Sequence, residues 1–200
     1  TGICGPPGAA VAGARAMGLG SDQTVSALTF GTNMAAGLNE WPYSGSDEMF
    51  FHVGFAARNA VMAAQLASLG ATCSETSLDG TAGFFRALGC MDRVEMVQPF
   101  AAGYEILSVF HKPAPACNYA QTATQAAAEL GRGIATSEIQ SIRVRSTAAA
   151  IAYPGCNHPG PFSKTLQAKM SIHFCVAAAL TRGVIEEANY RNLNDPEITR

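Results

Sequence analysis

Residues 54–69 read GFAARNAVMAAQLASL, and Gly70 follows. Strong helix formers fill the run, and a glycine just past its end is a natural left-handed stop. The stretch carries little apolar bulk. Its alanines and its glycine instead permit a neighbouring helix to approach closely. Packing, rather than ligand binding, is therefore the reading of this stretch, and it makes the chain a helical protein first.

Working outward, the N-terminal side keeps the same character. Pro6 and Pro7 stand where a helix can start, because proline fixes φ and needs no donor in the first turn. GAAVAGARAMG follows them. Ser21 and Asp22 read as N-cap and first-turn acid of a helix over 21–38. WPYSGSDEMF, 41–50, reads as a loop from its Pro, Gly and Ser content. LDGTAGFFRALG, 78–89, reads as a glycine-broken loop leading into a short helix.

On the C-terminal side the pattern changes near 104. YEILSVFH, 104–111, is short and β-rich, 119–130 is helical by composition, and 137–147 alternates at Ile142, Arg143, Val144 and Arg145. Alternation suits a half-exposed strand, so the three predict a strand–helix–strand unit. YPGCNHPGPFSK, 153–164, is a Gly/Pro loop, and 165–182 returns to helix with Gly183 at its end. Asp195-Pro196 is a cap-plus-N1 signal. The fold class expected is mainly α with a smaller α+β part.

Composition narrows the function. The chain has 200 residues, 48% hydrophobic and 14% charged, with a net charge of −2. Average domains carry about 25% charged residues, so polar surface is scarce and a buried oligomer or interdomain face is expected. No basic stripe gives a footprint for nucleic acid or a membrane surface. No uninterrupted apolar run approaches a spanning helix, and no secretory signal opens the chain. The six cysteines are scattered without CxxC or close Cys/His pairing. They read as mostly buried cytosolic thiols, which places the protein in the cytoplasm. No phosphate loop, nucleophile elbow or carboxylate cluster is present.

Three places combine polar groups with turn chemistry. His52, in MFFHVGFAARN, reads either as a hydrogen-bonded core histidine or as a functional group at a helix mouth. In HKPAPACNYAQTA, 111–123, Lys112 precedes two prolines and then a helix beginning at Asn118 or Tyr119. A lysine beside a helix N-terminus makes an anion site; a solvated lysine after a strand is the plain alternative. His158 sits in CNHPGPFS, 156–163, a loop that either connects or touches a ligand.

TGICGPPGAAVAGARAMGL, FFHVGFAARNAV, LDGTAGFFRAL, KPAPACNYAQTA and AKMSIHFCVAAALTRGVI occur in this order and at this spacing in one family. The chain resembles the middle of an MmgE/PrpD protein, a family that includes 2-methylcitrate dehydratase, cis-aconitate decarboxylase and iminodisuccinate epimerase. The resemblance implies an incomplete all-helical domain over 1–103, an α/β lid domain over 104–164, and a helical return segment over 165–200. It implies no cofactor and no metal. It also implies a site lined by His and Lys for a small di- or tricarboxylate. Lys112 matches the family's turn lysine and His52 its histidine, and these two are the expected catalytic residues. Cys117, Asn118, Gln121 and His158 are the expected substrate-binding residues. Met49, Cys117 and Phe174 stand where some relatives carry Lys, His and Tyr. The family's HP would sit just upstream of Thr1.

Two functions follow. One is a metal-independent lyase or isomerase, or the central part of one, acting by proton abstraction next to a carboxylate. The other is a non-catalytic, truncated family member that binds or assembles. A homo-oligomer is expected under either.

Overall fold

The computed structural model describes residues 2–97 and 104–199. The described residues form two compact units, one from 2–38, 47–97 and 104–105, the other from 39–46 and 106–199.

The first unit is built on three helices, α1 (Gly5–Ala16), α2 (Ser21–Asn33) and α4 (Glu48–Ser68). Its core is alanine: Ala10, Ala14, Ala27, Ala60, Ala63 and Ala67 are all buried, with Leu19, Phe30 and Met34 packed against them. Ala56, Ala60, Ala63, Ala64 and Ala67 form the buried stripe of α4 at helical spacing. Glycine tightens the packing further. A Cβ on Gly31 would lie 2.8 Å from the Pro6 carbonyl oxygen and 3.0 Å from the Ala10 methyl. The large side chains of α4 face outward, with Phe51, Phe55, Val61 and Met62 exposed.

Several boundaries differ from the sequence reading. The segment 41–50 is not a loop: α3 (Trp41–Ser44) occupies its start, with Pro42 in the first turn, and α4 already begins at Glu48. The N-cap of α2 is Gly20 rather than Ser21, because Gly20 N–H donates to the Gln23 side chain; Asp22 is the first-turn acid, as read. α2 ends at Asn33, not at 38. The glycine-broken loop does lead into a short helix, α5 (Phe84–Ala87).

The second unit holds α3, α6 (Gln121–Leu130), α7 (Ala148–Ala152), α8 (Thr165–Met170) and α9 (Ile172–Arg182). The long helix expected over 165–182 is broken at Ser171. Ser171 Oγ accepts from Phe174 N–H, capping α9, and donates to the His158 carbonyl at 2.6 Å. That second bond draws Ser171 out of helical geometry, at ψ 121°. α9 buries Ile172, Phe174, Cys175, Val176, Ala178 and Ala179. It approaches α6 closely, since a Cβ on Gly131 would meet the Leu180 carbonyl at 2.9 Å. Gly183, at φ 75°, ends α9 as expected. Arg182 then pairs with Asp195 and Glu197, holding the C-terminal turn.

The strand–helix–strand unit is corrected. Among the described residues no strand forms. Glu105–Ser108 is a 3-10 turn, and Leu107 and Phe110 are exposed. Residues 139–147 have no regular structure, with Ile142 and Val144 exposed. A strand exists only where a neighbour takes its N–H and C=O groups. The two β-patterned segments do not pair with each other, so alternation alone gives no sheet. The α/β lid is therefore absent from the described residues and the class is helical. The helix between them, read as 119–130, is present as a 3-10 turn Asn118–Ala120 running into α6. No described helix is long and apolar enough to cross a membrane.

Candidate functional site

The turn carrying Lys112 is built by its own backbone and by one glutamine. Pro113 and Pro115 fix φ on either side of Ala114. Ala116 N–H donates to the Ala114 carbonyl at 2.8 Å, closing a three-residue turn whose centre is Pro115. Gln121 reaches back from the first turn of α6. Its Oε1 accepts from Ala114 N–H at 3.1 Å, and its Nε2 donates to the carbonyls of Ala114 (3.0 Å), Ala116 (3.0 Å) and Cys117 (3.3 Å). Cys117 N–H donates to the Lys169 carbonyl at 2.8 Å, which seats the turn on the end of α8.

Lys112 itself is exposed, and its Nζ donates to the Ala116 carbonyl at 3.4 Å. An ammonium has three donors, and among the described residues only this one is engaged. Asn118 is exposed at the start of the 3-10 turn, where backbone N–H groups lack helical partners. Cys117 is buried against Cys156, Sγ to Sγ 3.5 Å, and Tyr119 packs on Tyr153 at 5.3 Å between centroids. These contacts join the lysine turn to the 153–164 loop.

His158 lies on that loop, half-buried. Its Nε2 donates to the Pro161 carbonyl at 3.3 Å, leaving Nδ1 as the unprotonated nitrogen of the neutral ring. The ring stands edge-on to Phe162, Phe162 edge-on to Phe174, and Phe174 stacks on Tyr190 at 5.6 Å. Lys169 sits over Tyr190 and pairs with Glu187 at 2.6 Å. Burial pushes the Tyr190 phenol and the Cys175 thiol up, Cys175 to about 12, and Tyr190 Oη and Cys175 Sγ are 3.6 Å apart. Neither is a group for ordinary proton traffic near neutrality.

The second unit thus gathers Lys112, Cys117 and Asn118 on one stretch, with Gln121 of α6 bonded back to it, beside the loop of His158. His52 belongs to the first unit. It lies in the second turn of α4, half-buried, with its ring against Gly37: a Cβ there would be 3.6 Å from both Cε1 and Nδ1. Among the described residues no hydrogen bond holds the His52 ring, so the core-histidine reading lacks the bond it called for.

Two features were not foreseen. Asn157 Oδ1 accepts from His173 Nε2 at 2.9 Å, beside a cavity of about 360 Å³ lined by Cys156, Phe162, Phe174 and Val144. A larger groove of about 950 Å³ runs along α6 between Asn118, Leu130 and Arg143. Of the six expected residues, Asn118 alone lines either one. His173 sits in a helical apolar run that reads as core, and its partner lies 16 residues away in sequence. Nothing in the local pattern pairs them. Among the described residues no group of three or more His, Cys, Asp or Glu is gathered to hold a metal ion.

Comparison with protein families gives two matches that divide the chain. Residues 1–96 match the MmgE/PrpD N-terminal domain and residues 114–200 the MmgE/PrpD C-terminal domain. The chain belongs to the MmgE/PrpD family. A comparison with curated proteins gives no match. In this MmgE/PrpD chain the first unit carries the N-terminal-domain match except for residues 39–46, which lie in the second unit with the C-terminal match. Cys117, Asn118, Gln121 and His158 fall within the C-terminal match, and His52 within the N-terminal one. Lys112 lies two residues ahead of the C-terminal match.

Proposed function

We propose that the protein serves a metal-independent lyase or isomerase reaction on a small di- or tricarboxylate, with proton abstraction from the carbon next to a carboxylate. The observation that carries this reading is the Lys112 turn, in a chain of this family. The ammonium is held by Ala116 on a turn that Gln121 organises through four hydrogen bonds, at the start of a helix.

The physical logic is direct. Proton loss next to a carboxylate builds further negative charge on that group. A fixed cation there stabilises the transition state more than the ground state. Lys112 would clamp the carboxylate and His52 would act as acid or base, since an imidazole nitrogen can take or give a proton. Cys117, Asn118 and His158 would be the substrate-binding residues beside Lys112. Gln121, its amide already engaged, would act by keeping Lys112 in place. The protein would work in the cytoplasm as a homo-oligomer. The exposed α4 face supports the second point. Phe51, Phe55, Val61 and Met62 stand exposed along it, an apolar surface of the kind that a second copy covers.

Titration calorimetry with citrate, aconitate and succinate tests the clamp. Lys112→Ala is expected to weaken binding about tenfold, about 1.4 kcal/mol. Unchanged affinity removes Lys112 from the site. One observation favours the second reading, a binding module without turnover. Phe174 is buried between Phe162 and Tyr190 and offers no polar group where some relatives carry a tyrosine. Binding of these acids with no turnover would establish that reading.

A further inference from the structure

Six cysteines are present, and two of them touch. Cys117 and Cys156 are both buried, with sulfurs 3.5 Å apart. A disulfide needs about 2.05 Å, so the two sulfurs have about 1.5 Å to close. The backbones on both sides are already held. Cys117 N–H is bonded to the Lys169 carbonyl at 2.8 Å, and the Cys156 carbonyl accepts from Ile172 N–H at 2.9 Å. Lys169 and Ile172 flank the α8–α9 break, so both cysteines stand on one platform.

We propose that Cys117 and Cys156 form a dithiol–disulfide couple that locks the Lys112 turn onto the His158 loop. The oxidant is a low-molecular-weight disulfide. The Cys117 thiolate attacks one of its sulfurs, giving a mixed disulfide and releasing one small thiol. The Cys156 sulfur then attacks Cys117 Sγ and expels the second small thiol. Two protein thiols are oxidised and one small disulfide is reduced; the two protein protons leave on the released thiols.

Entry is at Cys117. Its turn begins with exposed residues 111–113 and continues with exposed Asn118, whereas Cys156 is wholly enclosed. Burial, followed by the Cys117 contact, pushes the Cys156 thiol up, and its enclosure keeps a small disulfide from reaching it first. Cys175 is the other buried thiol in this neighbourhood, but its sulfur is turned to the Ala168 carbonyl at 3.5 Å and to Tyr190 Oη. The couple does not rest on the carboxylate reading. Its consequence is mechanical, since the bond ties the segment bearing Lys112 to the one bearing His158.

The test equilibrates the full chain in buffers of reduced and oxidised glutathione, followed by alkylation and peptide mapping. The expected result is loss of two of the six free thiols, a 117–156 cross-linked peptide, and slowed amide exchange at Ala116 and Cys117. In Cys156→Ser, Cys117 is expected to stop at the mixed disulfide. Circular dichroism checks that variant's fold, and the wild-type map stands without it. The proposal is overturned if both cysteines stay free, or carry glutathione separately, in fully oxidised buffer. It is equally overturned if Cys117 pairs with Cys175, or if exchange at 116–117 is the same in both states.

Discussion

At the scale of single residues, Gln121 carries more of the account than its type suggests. One amide serves three carbonyls and one N–H of the lysine turn. Gln121→Glu keeps the acceptor for Ala114 N–H but removes every donor and sets a carboxylate against carbonyl oxygens. Urea denaturation is expected to show a loss of about 1–3 kcal/mol, and ligand affinity should fall with it. A variant as stable as the parent would mean that the turn holds without this side chain. The lysine and its prolines were legible in the sequence because fixed φ and a following helix are local signals. The role of Gln121 was not, since a glutamine opening a helix looks the same whether it faces a ligand or bonds backwards. The same holds for Cys117 and Cys156, whose contact spans 39 residues.

At the scale of elements, small residues set the distances. In α2, Gly31→Ala forces a methyl to 2.8 Å from the Pro6 carbonyl oxygen, on backbone that cannot rotate away. The expected cost is about 1–3 kcal/mol, the range for overpacking, and a denaturation midpoint unchanged from wild type would refute that packing. Ser171→Ala removes the α9 cap and the donor to the His158 carbonyl together. A loss of about 1–2 kcal/mol is expected in the same assay. The helices were legible wherever composition and a stop agreed, as at Gly70 and Gly183. The break at Ser171 was hidden because the bond that makes it comes from a loop 13 residues away. The strands failed for the complementary reason. Period-two alternation at Ile142–Arg145 reports a preference, and only a partner's backbone turns it into a sheet.

At the scale of the whole molecule, the buried thiols give the protein a pH limit. Cys156 and Cys175 are raised by burial from 9.0 to about 12. The folded chain therefore keeps protons that the unfolded chain gives up. Their stabilisation is full below about 9 and is lost as pH rises toward about 12. Thermal melts should fall across that window in the wild type and less steeply in Cys175→Ala. Sedimentation addresses the exposed α4 face. A species heavier than the 20.8 kDa chain is expected, and a clean monomer would contradict self-association.

The most direct measurement of the functional account is solvent isotope exchange. The protein is incubated in D₂O with a panel of di- and tricarboxylates, and the acids are followed by NMR. Dehydration, decarboxylation and epimerisation outcomes all begin at, or pass through, a proton on the carbon next to a carboxylate. The account predicts deuterium at that carbon, or conversion of the acid, with at least one member of the panel, and a loss of that activity in Lys112→Ala. No exchange and no conversion across the panel would contradict it.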